Sequence, residues 1–348
     1  EAPPKPPGKI MMDSAFTQST AQNETNERPP PPSTSKWVPP HLRIDDSVPT
    51  IEPPPLNLEE FDDYVATLEA VPDVVPAARA RVTWADPSAK RKTALCFLYL
   101  HGFSASRLES APVSAELAKA HGANLYEARV AGHGCGPDAL GAVTAEAWLQ
   151  SAQQAWAIAT ALGQKVVIVA MSNGASLATW LMRDPSNRAC TLAVLMMAPN
   201  FRVRSPAAGL LSWPFADVWL PALTGGRRET RPVNDTAAAI WTHGYPASAL
   251  FRMQTMVKWL ERENLGEIDV PLALMSMEND PTVSPSALKQ GFRRWGGSNK
   301  ALIRVEPGGD AAEHVFVGDA LAPTRNKWVI RSFLDFLSRL TDDDSRPD

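Results

Sequence analysis

Short runs of apolar residues alternate along this chain with segments whose apolar residues recur at helical spacing, from about residue 58 to residue 340. Most of the runs are apolar at almost every position, which is typical of strands covered on both faces of a parallel sheet. The runs that predict strands are 81–85, 93–100, 124–130, 166–171, 190–197, 272–277 and 301–305. The first of them alternates between apolar and polar residues, as an edge strand does.

The segments between these runs predict helices. Residues 144–162 carry Trp148, Leu149, Trp156 and Leu162 at helical spacing, which indicates a helix with one face in the core. The other predicted helices cover 58–70, 112–120, 175–183 and 328–340. Strands and helices in this order predict an α/β fold with a mostly parallel central sheet and helices on both faces.

The alternation stops between residues 200 and 267, where one amphipathic helix is predicted over 248–263. An insertion of this length after a strand is suited to form a helical cap, or lid, over a site at the sheet edge. The predicted division of the chain is an extended proline-rich arm (1–56), the first part of the core (57–200), a cap insertion (201–268), the second part of the core (269–340) and an acidic tail (341–348).

The amino-terminal arm is defined by its prolines, because 14 of the 32 in the chain precede Leu56. Such a segment cannot form a core of its own. It is interpreted either as a flexible linker or leader, or as an arm through which residues 1–56 bind protein partners. The start at Glu1 predicts a processed or engineered terminus, which favours a secreted, periplasmic or organellar location over the cytoplasm and leaves the compartment open.

Composition excludes several classes of function. In a chain of 348 residues with a net charge of −4, lysines and arginines are scattered, which argues against nucleic-acid binding. No apolar run reaches the roughly 18 residues that a membrane-spanning helix needs. Of the three cysteines, Cys96 and Cys190 lie in apolar runs and are predicted to behave as small hydrophobic residues. No C-x-x-C or H-E-x-x-H motif is present, so neither a metal nor a cofactor is predicted.

A loose G-x-G-x-x-A pattern at 134–139 resembles a dinucleotide-binding fingerprint. That motif requires a helix that begins at the turn and an acidic residue about 20 positions later. We reject it because Pro137 is not expected to begin a helix and Gln153 and Gln154 follow at the acidic position.

Ser172 stands where a buried strand meets a predicted helix. Ala170 and Gly174 are small, so the backbone can turn sharply enough to project the serine hydroxyl above the sheet edge as a nucleophile. The alternative is that Ser172 simply caps the helix.

A serine nucleophile needs a histidine base and an acid that orients the base. His314 follows the last predicted strand, whereas His101 and His133 lie in glycine-flanked loops nearer the start of the fold. Asp280 follows the preceding strand, with Glu278 as the weaker candidate for the acid. Ser172, Asp280 and His314 therefore form the predicted catalytic set, in the chain order expected for this architecture.

With these residues the chain resembles the α/β-hydrolase superfamily, closest to its lipase, esterase and monoacylglycerol-lipase-like branch, over about residues 81–340. The segment Leu100-His101-Gly102-Phe103 is similar to the family's His-Gly segment. The resemblance implies that the backbone N–H groups of Phe103 and Asn173 form the oxyanion hole. Ala170 departs from the family's G-x-S-x-G pattern, and a serine nucleophile argues against the dehalogenase and epoxide-hydrolase branches.

The predicted function is hydrolysis of carboxylic esters, with hydrophobic acyl esters as the favoured small-molecule substrates, through an acyl-enzyme intermediate. Lipases, thioesterases and amidases would use the same residues, so the subclass stays open. The alternative is an accessory subunit of a larger, organellar or other assembly that retains the fold and binds its neighbours through the arm.

Overall fold

The computed structural model of the chain describes residues 38–306 and 314–343, with side chains up to residue 340. Its strands are β1 (Arg81–Thr83), β2 (Thr93–Leu100), β3 (Asn124–Glu127), β4 (Gly163–Met171), β5 (Thr191–Met197), β6 (Arg227–Arg228), β7 (Tyr245–Pro246), β8 (Leu272–Met277) and β9 (Lys300–Val305). Seven of them form the central sheet in the order β1-β3-β2-β4-β5-β8-β9. Strand β1 is antiparallel to β3 and every other neighbouring pair is parallel, which confirms the mostly parallel sheet.

Helices cover both faces of this sheet, as predicted. They are α1 (Phe61–Leu68), α2 (Val113–Ala120), α3 (Pro137–Ala142), α4 (Ala145–Leu162), α5 (Gly174–Leu181), α6 (Pro185–Ala189), α7 (Ala216–Thr224), α8 (Asp235–Ile240), α9 (Ser248–Arg262), α10 (Pro285–Arg294) and α11 (Asn326–Asp343). None of the helices within the described ranges is long and apolar enough to cross a membrane.

Successive residues of the inner strands enter two separate cores, because side chains alternate across a strand. Leu98 of β2 and Ile168 of β4 pack on the face covered by α4, α5 and α9. Phe97 and Val167 pack on the face covered by α2 and α11. Both faces of the inner strands are therefore buried, which explains why the sequences of these strands are continuous apolar runs.

Three local features differ from the sequence predictions. Helix α3 begins at Pro137. Proline suits the first helical position because the N–H that it lacks would have no intrahelical partner there. Contrary to the sequence prediction, Pro137 therefore begins a helix. Cys190 ends α6 and is exposed, so it is not a buried hydrophobic residue of the next strand, which begins at Thr191. Helix α10 was missed, although Ser284 caps it by accepting the N–H of Ala287.

The insertion between β5 and β8 contains α7, α8 and α9 and contacts loops at the carboxyl edge of the sheet. The N–H of Thr242 donates to the carbonyl of Ser104 over 2.6 Å. The amide of Asn234 donates to the carbonyl of Ala320 over 3.0 Å, on the loop that follows β9. These contacts hold the insertion against the loops where the predicted site lies.

Part of the predicted arm, residues 38–56, lies on the chain's own domain. The carboxylate of Asp46 accepts the indole N–H of Trp259 over 2.7 Å and pairs with Arg183 over 2.6 Å. His41 donates to the carbonyl of Leu211 over 2.9 Å. Residues 1–37, and residues 344–348 of the acidic tail, lie outside the described residues, so partner binding through the arm stays a prediction.

Candidate active site

Ser172 occupies a sharp turn between β4 and α5. Its φ of 48° lies in the left-handed region, which a residue with a side chain adopts at an energetic cost, and such strain is common at functional sites. The backbone N–H of Ser172 donates to the carbonyl of Met197 over 2.9 Å, and its carbonyl accepts the N–H of Asn200 over 3.0 Å. The neighbouring strand β5 and the loop that follows it therefore fix the turn.

Gly174 is required by this turn because the backbone of β2 passes directly beside it. A Cβ atom at this position would lie 2.1 Å from the carbonyl oxygen of Leu100, closer than any real contact. We expect Gly174→Ala to lower the free energy of unfolding by about 3 kcal/mol, as overpacking against rigid backbone does. Urea denaturation of the variant and wild type measures the change.

Gly209→Ala is the matched control, because a Cβ at Gly209 meets no atom within 4 Å. Its midpoint should equal or slightly exceed that of wild type. Equal stability of the Gly174 and Gly209 variants would contradict the close approach of Leu100.

Ser172, His314 and Asp280 form one continuous hydrogen-bonded chain. His314 Nε2 lies 2.9 Å from Ser172 Oγ, and His314 Nδ1 lies 2.8 Å from Asp280 Oδ2. A carboxylate only accepts, so Nδ1 carries the proton and Nε2 is left to accept the serine hydroxyl. In this tautomer the imidazole is arranged to take the proton of Ser172.

Asp280, and not Glu278, lies beside His314. Its side chain is buried, and its second oxygen, Oδ1, accepts the N–H groups of Thr282 and Val283 over 2.8 and 2.9 Å. These bonds stabilise the carboxylate and fix its orientation. Glu278 instead forms an ion pair with Lys289 over 2.7 Å at the surface, which lowers the pKa of that carboxyl.

The two predicted oxyanion donors follow the neighbouring strands β2 and β4. Phe103 follows β2, and Asn173 is the residue immediately before α5. Neither backbone N–H donates to any other residue within the described ranges. Both groups are therefore available for an oxygen atom of a bound molecule.

The comparisons with known proteins agree with this architecture. No protein-family model and no curated protein matches the sequence. Among solved structures, one described with LipS and LipT, two metagenome-derived lipolytic enzymes, is similar with a TM-score of 0.61 and 17% identity, over 76% of this chain and 99% of that one. The monoacylglycerol lipase of Paleococcus ferrophilus is similar with a TM-score of 0.52 and 13% identity, over 75% and 98% of the two chains. A soluble variant of the monoglyceride lipase of Saccharomyces cerevisiae gives 0.53 and 12%, over 75% and 90%.

The chain has the α/β-hydrolase fold. This confirms the fold that the sequence resemblance implied. Because the identities are 12 to 17%, the likeness concerns the fold, and the chemistry rests on the residues of the site itself.

Two buried histidines stabilise the loops of the candidate site. His101 Nε2 accepts the N–H of Val130 over 3.0 Å, so His101 Nδ1–H donates to the carbonyl of Gly102 over 2.9 Å. Burial lowers the pKa of His101 to about 4 and that of His133 well below its usual value. Both imidazoles are neutral at pH 7, which suits a structural role.

The sequence interpretation missed a buried acid, Glu109, in the loop between β2 and α2. Its Oε1 accepts the hydroxyl of Tyr99 over 2.9 Å and also the backbone N–H of Gly102. Nothing in the local sequence distinguishes this glutamate from a surface residue, since Arg107 and Ser110 flank it at close range. Only the contact with the His-Gly segment shows its place in the site.

The described residues contain no group of three or more histidine, cysteine, aspartate or glutamate side chains placed to hold a metal ion.

Proposed function

We propose that this α/β-hydrolase is a serine hydrolase that cleaves carboxylic esters through an acyl-enzyme intermediate. The observation that carries the proposal is the hydrogen-bonded chain from Ser172 through His314 to Asp280, with distances of 2.9 and 2.8 Å. A hydroxyl is a poor nucleophile until a base removes its proton, and this arrangement supplies the base in the required tautomer.

In the acylation step Ser172 Oγ attacks the carbonyl carbon of the ester while His314 Nε2 takes the hydroxyl proton. Asp280 stabilises the imidazolium that forms and keeps its ring in place. The imidazolium then donates its proton to the alkoxide leaving group as the C–O bond breaks. The alcohol leaves, and the acyl group stays on Ser172.

In the deacylation step a water molecule replaces the alcohol. His314 Nε2 takes a proton from this water as its oxygen attacks the acyl carbonyl, and the same proton returns to Ser172 Oγ when the acyl bond breaks. The carboxylic acid leaves and the resting tautomer is restored.

The N–H groups of Phe103 and Asn173 are the proposed oxyanion donors. Both are without an acceptor among the described residues, and they follow the neighbouring strands β2 and β4. Donors held before the reaction stabilise the negative charge of the tetrahedral intermediates at no reorganisation cost. One such donor typically contributes about 10² to 10³ in rate.

Hydrophobic acyl esters are the proposed substrates. The insertion that contacts the site loops exposes several large apolar side chains: Trp213, Phe215, Val218, Leu223 and Val233. The similar structures include lipolytic enzymes and monoacylglycerol lipases. An apolar cap beside a serine nucleophile favours substrates that bury a hydrocarbon chain.

A fluorophosphonate probe tests the proposal, because it reacts only with serines that a neighbouring base has activated. We expect wild type to be labelled on Ser172 and Ser172→Ala not to be labelled. The labelled site is located by mass spectrometry of the digested protein. The same wild-type preparation should hydrolyse p-nitrophenyl butyrate faster than p-nitrophenyl acetate at equal subsaturating concentrations.

Ser176→Ala is the matched control, since Ser176 is a buried serine one turn further along α5. It should keep the labelling of wild type. A folded wild type that takes up no label would reject the proposed reaction. Labelling with a preference for the acetate would retain the reaction and reject the hydrophobic substrate.

A further inference from the structure

We propose that Glu109 is a positioning residue of the oxyanion site, which fixes the turn carrying the Phe103 N–H by accepting the backbone N–H of Gly102. This inference rests on the proposed function, because it concerns how the site stabilises the charge on the ester carbonyl oxygen. Glu109 is not a catalytic residue, since it acts through the backbone of Gly102.

The first support is the set of bonds at one carboxyl oxygen. Glu109 Oε1 accepts both the Gly102 N–H and the Tyr99 hydroxyl, and Tyr99 is fully buried in β2. Gly102 is thereby tied to a rigid strand through two successive hydrogen bonds. Since Phe103 is the next residue, the direction of its N–H depends on this tie.

The second support is the position of the carboxyl group relative to the nucleophile. A Cβ atom built on Gly102 would lie 3.0 Å from Glu109 Oε2 and 3.2 Å from Ser172 Cβ. The Glu109 carboxyl group and the Ser172 side chain therefore both lie close to Gly102. Oε2 makes no hydrogen bond to any residue that the structure describes, so the second oxygen is free to carry a proton.

The charge of Glu109 matters at this position. Burial raises the pKa of its carboxyl to about 8, so the group is neutral at pH 7 and becomes an anion as the pH rises above 8. An anion beside the oxyanion site opposes the negative charge that develops on the substrate oxygen. The rate should therefore be highest with Glu109 protonated and should fall as this group ionises.

Other titratable and charged groups surround Glu109 on the elements packed against it. Tyr99 lies on β2, and Glu127 lies on β3, where it pairs with Arg107 over 3.2 Å. The loop after β9 passes over the backbone of Glu109 and brings Asp319, whose carboxylate accepts the amide of Asn326. Among the described residues, His101 bonds the carbonyl of Gly102, and His314, paired with Asp280, lies 2.9 Å from Ser172 Oγ.

The test compares Glu109→Ala, Glu109→Gln and wild type in hydrolysis of p-nitrophenyl butyrate. Alanine leaves the Gly102 N–H without its acceptor. We expect kcat to fall about 10²-fold with KM nearly unchanged, because the Phe103 N–H is then misplaced for the transition state. Glutamine retains an oxygen that accepts both bonds, so it should recover kcat to within about threefold of wild type at pH 7.

The dependence of kcat on pH separates positioning from a merely structural role. Wild type should lose activity as the pH rises through about 8, because Glu109 becomes an anion. Glu109→Gln has no proton to lose and should lack this decline. If Glu109→Ala fails to fold, the pH profile of Glu109→Gln decides alone, and a decline equal to that of wild type overturns the proposal.

Glu127→Gln is the matched control, because it changes another buried carboxyl that does not contact Gly102. It should keep both kcat and the alkaline decline of wild type. Fluorophosphonate labelling of every variant distinguishes failure of the proposed serine hydrolase from failure of the positioning role of Glu109. An unlabelled, inactive wild type rejects the serine hydrolase and the positioning role together, whereas a labelled wild type with a fully active Glu109→Ala rejects the positioning role alone.

Discussion

Replacing His314 with alanine is expected to lower kcat for ester hydrolysis by about 10⁵- to 10⁶-fold, as removing the base of a Ser-His-Asp set does. Among the residues that the structure describes, only the imidazole of His314 bonds Ser172 Oγ, at 2.9 Å, so its removal leaves the hydroxyl without a base. The same base must also activate the water of deacylation, so both half-reactions lose their proton acceptor. Steady-state and single-turnover measurements with p-nitrophenyl butyrate give the size of the loss.

His121→Ala is the matched control for His314→Ala. His121 ends α2 and bonds the carbonyl of Leu117, so it contacts no member of the proposed catalytic set. We expect its kcat to match that of wild type. Circular dichroism and thermal unfolding of both variants confirm that each is folded. A folded His314→Ala protein that retained a tenth of the wild-type kcat would remove His314 from the mechanism.

Replacing Asp280 with asparagine is expected to lower kcat by about 10⁴-fold while leaving the site geometry intact. Asparagine can still accept the N–H groups of Thr282 and Val283 through its oxygen, so its NH₂ group faces His314 Nδ1. A donor at that position forces the proton of the imidazole onto Nε2. His314 then presents a donor to Ser172 and can no longer take its proton.

Glu278→Gln is the control that decides between the two acids near this strand end. Glu278 pairs with Lys289 at the surface, and its loss should leave kcat within about twofold of wild type, because exposed ion pairs contribute little. A larger loss for Glu278→Gln than for Asp280→Asn would overturn the assignment of Asp280. Measuring both variants at several pH values also shows whether the proton acceptor has changed.

Much of the fold followed from the alternation of apolar runs with helical periodicity. The strand before Ser172 was predicted at 166–171 and forms over Gly163–Met171, because its residues must be apolar to enter both cores. The closing helix was predicted at 328–340 and forms over Asn326–Asp343. Burial of this kind can be predicted from sequence, because a buried face of a strand or helix requires apolar residues at regular intervals along the chain.

Elements outside that pattern were harder to predict. Helix α10 is strongly polar on one side and begins at a proline, and α3 has only six residues. The antiparallel pairing of β1 with β3 depends on three residue pairs that no periodicity specifies. Short or mostly exposed elements are stabilised by caps and by tertiary contacts, which leave only weak local signals.

For the site, the sequence by itself determined that a serine at a strand-to-helix junction, an acid after one later strand and a histidine after the next occur in a consistent order. That much follows because parallel strands bring their carboxyl ends to one edge of a sheet. The sequence favoured Asp280 over Glu278 only by position, and the tertiary structure places Asp280 beside His314. Tertiary structure alone decided that residues 38–56 pack on the domain and that Glu109 holds Gly102. Each of these is a contact between groups a few ångströms apart. Packing between segments far apart in the chain brings such groups together.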